Sequence, residues 1–298
     1  MIQEIIPGLD NAWRPGQQIT DDCACLNFAG RGSVMTAVGT GGVPALPTYA
    51  QLKEHVTESR YAFSIGDRRF FLVKTDDAAS FEFMNLHKFA RGGNVPAGDA
   101  GAEDGVPETG DAAAQAQARK AEAFAAMTGH HLYLWYRDVR YCGRCSAELV
   151  HSERERAKVC PVCGETFYPR IAPAIIVAVH DGDRLLMTTY RGREYKRFAL
   201  IAGFAEIGET IEETVRREVM EETGVKIKNI CYYKSQPWGM SGDLLMGFTA
   251  ELDGDPAIRM DEQELSTADW YPREEIEFED DGVSLTGELI RRFMEGAF

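Results

Sequence analysis

The chain has 298 residues, of which 44% are hydrophobic and 27% charged, a composition that suits a globular protein with room for two folding units and a small third module. Its 47 acidic and 32 basic residues leave a formal charge of −15; such a surface repels a nucleic-acid backbone over most of its area and excludes a general DNA or RNA coat, but not a nucleotide held through a metal ion. The apolar run from Ile171 to Val179 contains Pro173 and is too short to cross a bilayer, and Met1-Ile2-Gln3-Glu4 lacks the basic start of a signal peptide, so a cytoplasmic location and no membrane partner are expected.

In chain order, residues 1–127 read as a strand-rich N-terminal domain. Tyr61 to Ile65 and Arg69 to Val73 flank Gly66-Asp67 and predict a hairpin. The glycines between Gly30 and Gly42 fit neither of the two common phosphate-loop spacings, so a plain loop is expected there. From about residue 92 to 111 the chain is Gly, Ala, Pro, Asp and Glu with almost nothing to bury, which predicts a flexible loop. A helix-compatible stretch follows from Ala112 to Met127.

Residues 128–167 hold two C-x-x-C pairs, Cys142/Cys145 and Cys160/Cys163. Each pair can present two thiolates to one ion, and two such knuckles complete a tetrahedral Zn²⁺ site with no open position for catalysis. Structural zinc is therefore expected, with His130 and His131 left to packing or surface roles. Cys23, Cys25 and Cys231 read as ordinary buried or half-buried thiols.

After Cys163 the pattern changes to alternating strands and helices, over residues 168–298. Strands are predicted at Ala174–Val179, Arg184–Thr188, Ile227–Tyr233 and Leu244–Leu252, and helices at Thr210–Glu222 and Thr286–Met294. On the first of these helices Ile211, Val215 and Val219 form the apolar stripe, and Glu218 and Glu222 continue that stripe with Glu221 just beside them. Like charges set against a core are costly unless a cation is bound there, and carboxylate oxygens suit Mg²⁺ or Mn²⁺.

Gly203, Glu209, Arg217-Glu218, Glu221-Glu222 and Gly224, with Val219 and Val225, reproduce the pattern G-x5-E-x7-R-E-U-x-E-E-x-G-U, and the segment resembles the Nudix box. The cysteine ribbon ahead of it, Tyr168-Pro169-Arg170 and Ser235-Gln236-Pro237-Trp238 are similar to the NADH pyrophosphatase branch of the Nudix hydrolases. The resemblance implies an α+β protein: a Nudix α/β/α sandwich with a mixed sheet, preceded by a zinc ribbon and the strand-rich N-terminal domain. It implies metal-dependent cleavage of NAD(H) to nicotinamide mononucleotide and AMP, and a homodimer. Alternatives are a broader pyrophosphatase for ADP-ribose or other dinucleotides, removal of the NAD cap from an RNA 5′ end, and, in a different class, a non-catalytic nucleotide sensor.

By the same resemblance Glu218, Glu221 and Glu222 would hold Mg²⁺ or Mn²⁺, with the carbonyl of Ala202 and the distal acid Glu264 as further ligands. Glu222 or Glu264 would take the proton of the attacking water, and Glu209 would pair with Arg217 as a support. Tyr168, Gln236, Pro237, Trp238 and Ser241 would contact the nucleotide. The branch follows Ser-Gln-Pro-Trp with Pro-Phe-Pro, whereas this chain has Gly239-Met240-Ser241-Gly242-Asp243, which lacks that rigidity and that aromatic face.

Overall fold

The computed structural model describes every residue except 31, 40–42, 77–80, 93–109, 192–197 and 262. Most of the loop expected at 92–111, and part of the glycine-rich stretch before it, lie outside the described residues. The chain divides into two compact units, one of Ile2–Arg170 with Gly239–Gly242, the other of Met1 with Ile171–Trp238 and Asp243–Phe298.

The first unit begins with β1 (Leu9–Asp10), β2 (Ala24–Leu26), β3 (Phe28–Ala29), β4 (Ser33–Val38), β5 (Pro44–Ala45) and α1 (Tyr49–Leu52). It continues through β6 (Val56–Ile65), β7 (Arg68–Thr75), β8 (Glu82–Asn85), α2 (Leu86–Ala90) and α3 (Gly110–Asp138) to the short strands β9 (Val150–His151), β10 (Lys158–Val159) and β11 (Thr166–Phe167). One sheet runs β1-β6-β7-β2, a second is built on β4, and β11-β10-β9 form the small sheet beside the cysteine knuckles. The β6–β7 pair is the hairpin predicted around Gly66-Asp67. Cys23 and Cys25 are fully buried with Met35, Tyr61 and Phe71, and burial pushes the Cys25 thiol up to about 12, so it stays protonated and inert.

Helix α3 runs well past the end expected at Met127 and across the boundary placed there. The reason lies in packing. Gly129 sits where a Cβ would be 2.6 Å from Leu26 Cδ1, so it lets the helix approach the sheet closely. His130, Leu132 and Trp135 continue the buried face, and His130 Nδ1 lies 3.0 Å from the Gly239 carbonyl oxygen.

The second unit is one mixed sheet with a helix on each face. It comprises β12 (Ala172–Asp181), β13 (Arg184–Tyr190), β14 (Ile201–Phe204), α4 (Ile211–Thr223), β15 (Ile227–Trp238), β16 (Asp243–Leu252), β17 (Leu265–Pro272) and α5 (Leu285–Met294). The order is β15-β16-β12-β13-β17, with β14 also paired to β12; β12 and β16 are parallel and their other neighbours antiparallel. Side chains of β12 alternate as a strand requires. Ile175, Val177 and Val179 pack with Val215 and Val219 of α4, while Ile176 and Ala178 pack with Leu285, Leu289 and Phe293 of α5. This is the α/β/α sandwich. Cys231, expected to be at least half-buried, is exposed, because it lies on the edge strand β15 at a shift in register.

Gly239 marks another close approach in the first unit: a Cβ there would be 2.0 Å from the Met127 carbonyl oxygen. Gly239→Ala is predicted to lower stability by about 1–3 kcal/mol through overpacking, read as a fall in the thermal unfolding midpoint. An unchanged midpoint would mean that this loop is not held against α3.

Candidate active site

The site is organised around α4, and its start and end are encoded locally. Thr210 caps the N-terminus: its hydroxyl accepts from the Glu213 amide at 3.3 Å while the Glu213 carboxylate accepts from the Thr210 amide at 2.8 Å. Gly224 closes the other end in the left-handed conformation, φ 70°. Between them Val215 and Val219 bury the apolar face, each contributing about 1.5–3 kcal/mol. Glu213, Arg216 and Met220 are exposed, whereas Glu218 is half-buried and Glu222 is 3% exposed. Glu221 lies at the rim, largely in solvent.

Arg217 ties this acidic group together. Its guanidinium donates to both oxygens of Glu209 at 2.6 and 2.9 Å, to Glu218 Oε1 at 2.8 Å and to Glu221 Oε2 at 3.0 Å. It also donates to the Phe204 carbonyl at 2.9 Å, fastening the loop that precedes the helix. Glu209 further accepts from the Glu206 amide and the Thr214 hydroxyl. The Arg217 hydrogen bonds, then the amide, hold its carboxyl down to about 2. The pairing of Glu209 with Arg217 is thus present as a bidentate ion pair. Gly203, on β14, leaves the room this needs: a Cβ there would sit 2.0 Å from the Glu218 carboxyl carbon.

Glu222 has no such partner. One of its carboxylate oxygens is buried without a hydrogen bond among the described residues. Burial pushes its pKa up to about 8, and the charges of Glu218, Glu264 and Asp261 add to the rise. Burial also raises Glu218, against the pull of Arg217. A buried carboxyl surrounded by like charges and carrying an unpartnered oxygen fits a hard divalent cation, as does the all-oxygen donor set. The carboxylates do not form a closed cage. Among the described residues, the four cysteine sulfurs are the only group of three or more potential ligands whose atoms all lie within 4.8 Å of one another.

The remaining predicted residues fall in different places. Glu264 is exposed just before β17, with its carbonyl accepting from the Arg191 amide. Ala202 lies on β14 opposite Ile176. Asp261, which the sequence reading passed over, donates its amide to the Glu222 carbonyl at 2.9 Å and faces the same carboxyl; the acidic run around it was the available signal. Pro237 is exposed and Trp238 half-buried at the end of β15. Tyr168 and Ser241 belong to the first unit, where Tyr168 is exposed and its hydroxyl donates to Glu155 at 3.0 Å. Gln236 requires a correction. It is fully buried, its Nε2 donates to the Val283 carbonyl at 2.8 Å and its Oε1 accepts from the Leu285 amide at 2.7 Å, so its amide anchors the start of α5 and is not presented to a nucleotide.

In the ribbon, the Cys142–Cys163, Cys145–Cys160 and Cys145–Cys163 sulfurs are 3.6, 3.4 and 3.7 Å apart. Zinc–sulfur bonds of about 2.3 Å in a tetrahedron require sulfurs about 3.8 Å apart, so the four cysteines fit that ion. The amides of Cys163 and Val162 hold the Cys160 thiol down to about 6, favouring the thiolate a metal needs.

Two outcomes follow from this geometry. Gly203→Ala should displace the Glu218 carboxylate and remove the site's function while the sheet still forms, with activity and circular dichroism as the measurements. For Glu222 the folded pKa lies above the unfolded one, so its contribution is fully favourable below about pH 4.5 and is lost as pH rises through about 8. Without added divalent cations, the wild-type midpoint should therefore fall relative to Glu222→Gln across that window. Parallel curves would contradict the burial of an uncompensated carboxyl.

Two family models match this chain. The NUDIX domain family matches residues 170–293, and the NADH pyrophosphatase zinc ribbon domain family matches residues 137–168. The chain is 44% identical over 148 residues to the "NAD-capped RNA hydrolase NudC" of Photorhabdus laumondii, covering 50% of this chain and 57% of that one. It is 39% identical over 167 residues to a protein of the same name from Escherichia coli O9:H4, covering 56% and 63%. The chain thus matches less than two thirds of the length of these curated relatives. A solved NUDIX hydrolase from Nitrosomonas europaea aligns with 53% of this chain and 91% of its own, at 21% identity and a TM-score of 0.47. The chain carries a Nudix domain, over residues 170–293, directly behind a zinc ribbon domain of the NADH pyrophosphatase kind, over residues 137–168.

Proposed function

We propose that this protein hydrolyses the pyrophosphate of NAD(H), adding water across the phosphoanhydride to release nicotinamide mononucleotide and AMP. The observation that carries this reading is Glu222, buried at the core face of α4 with an unpartnered oxygen and raised to about 8 beside Glu218. Glu218, Glu221 and Glu222 would hold Mg²⁺ or Mn²⁺, with the Ala202 carbonyl and Glu264 as further ligands. When bound, such an ion supplies neutralisation of phosphate charge and a more acidic water. Arg217 keeps Glu218 and Glu221 in place from one side, and Glu209 keeps Arg217 in place from the other. Glu222 and Glu264 are the two carboxylates available to take the water's proton. Pro237 and Trp238 would contact the nucleotide, with Trp238 offering an aromatic face.

The ribbon cysteines would hold a structural Zn²⁺ whose four thiolate ligands leave no open position for catalysis. All seven cysteines are free, which suits the reducing cytoplasm, and a homodimer is the assembly the resemblance implies. No described helix is long and apolar enough to cross a membrane.

A second reading, removal of an NAD cap from RNA, is favoured by the names of the relatives. It needs little RNA contact, as the −15 charge requires.

The test is AMP release from NADH, NAD⁺, ADP-ribose and NAD-capped RNA, with Mg²⁺ or Mn²⁺. Turnover of the dinucleotides is expected, falling about a hundredfold or more in Glu222→Gln with the fold intact. No turnover of any substrate, with metal bound, would favour a nucleotide sensor. Cys160→Ser should lower the unfolding midpoint before it alters the chemistry, since structural zinc supplies folding energy. An unmoved midpoint would contradict the zinc assignment.

A further inference from the structure

Away from the carboxylates, the first unit contains a cavity of about 670 Å³ bounded by β6, β7, the end of α3 and the ribbon strands. Its volume lies in the range of pockets that bury small organic ligands. The chain as a whole has more acidic than basic residues, yet here the balance is reversed: Arg60, Lys74, Arg137, Arg140 and Lys158 line the cavity against Glu58 and Glu148. Two of the cations are already paired. Lys74 Nζ lies 2.8 Å from Glu58, and Arg137 donates twice to Asp138, at 2.5 and 2.8 Å.

Arg60, Arg140 and Lys158 have no carboxylate within ion-pair distance among the described residues. Lys158 is buried and donates to the carbonyls of Tyr136 and Val139, closing the end of α3. Its ammonium is 5.6 Å from the centre of the Tyr136 ring, which the Arg60 guanidinium also faces at 5.1 Å. Neighbouring His151 registers the field: burial first, then Arg60 and Lys158, push its ring down to about 4, so it is neutral at pH 7. Like charges gathered on a partly desolvated wall are costly unless an anion joins them.

We propose that this cavity binds a nucleoside monophosphate, with the phosphate between Arg60 and Arg140 and the base against the aromatic wall of Phe83, Tyr133 and Tyr136. Two guanidinium forks match a phosphate's oxygens, and aromatic rings supply the flat apolar surface a base requires. A bare phosphate would fill only a small part of the space. The inference goes beyond the hydrolytic reading and does not depend on it.

The experiment is calorimetric titration of the full-length protein with AMP, zinc retained and no Mg²⁺ or Mn²⁺ added, with inorganic phosphate as a second probe. Wild type, Arg140→Ala, the Arg60→Ala/Arg140→Ala double variant and Glu222→Gln are compared. A saturable site is expected, weakened roughly tenfold or more by Arg140→Ala and further in the double variant, and unchanged by Glu222→Gln. NADH hydrolysis by Arg140→Ala should match wild type, and phosphate should bind far more weakly than AMP. Arg140 is exposed, so its single replacement spares the core and remains informative even where the double variant unfolds. No saturable AMP binding, binding unaffected in folded Arg140→Ala, binding lost in Glu222→Gln, or phosphate binding as tightly as AMP would each overturn the proposal. Failure of the hydrolytic reading would show separately, as absent turnover with this binding intact.

Discussion

A carboxylate at the inner face of a helix must be neutralised, and the second unit is arranged around that requirement. Glu218 and Glu222 share the side of α4 that also carries Val215 and Val219, so the packing that stabilises the helix drives two acids toward the sheet. Arg217 neutralises part of the charge from the loop side. It reaches Glu218, Glu221 and Glu209 but not Glu222, which keeps a buried oxygen without a partner. Burial and the neighbouring acids raise the pKa of Glu222, and a divalent cation, as proposed, would offset that cost.

The surrounding elements serve this placement. β14 carries Gly203, whose missing side chain is the space that the Glu218 carboxylate uses. The capping box at Thr210 and the left-handed Gly224 fix where α4 begins and ends, and so which of its residues face inward. On the opposite face of the sheet α5 packs through Leu285, Leu289 and Phe293, and buried Gln236 ties its first turn to β15. Rigid support of this kind allows a costly charge cluster to persist, because the helix cannot rotate it into water without unpacking Val215 and Val219.

Local and periodic features were legible in the sequence. The hairpin at Gly66-Asp67, four of the six described strands of the second unit (β12, β13, β15 and β16) and its helices α4 and α5, the two cysteine knuckles and the inward turn of Glu218 and Glu222 follow from spacing, whereas β14 and β17 were not expected. Features that depend on close approach between distant segments were not. The helix was expected to end at Met127, and only the close approach of Gly129 to Leu26 shows how α3 packs as it continues to Asp138. Gln236 was expected at the nucleotide beside Trp238, and its burial depends on the return of residues 283–285, which periodicity does not encode. Asp261 was hidden for a related reason: an acid in a polar run gains meaning only when the chain lays it beside Glu222. Tyr168 was grouped with the nucleotide contacts by resemblance, and its hydroxyl is bound to Glu155 within the first unit.

The most direct measurement is anomalous diffraction from crystals grown with manganese. The account predicts a manganese peak bonded to oxygens of Glu222 and Glu218, with Glu218 drawn away from Arg217. A map with no peak there, Glu222 still buried and Arg217 still holding Glu218 and Glu221, would contradict it.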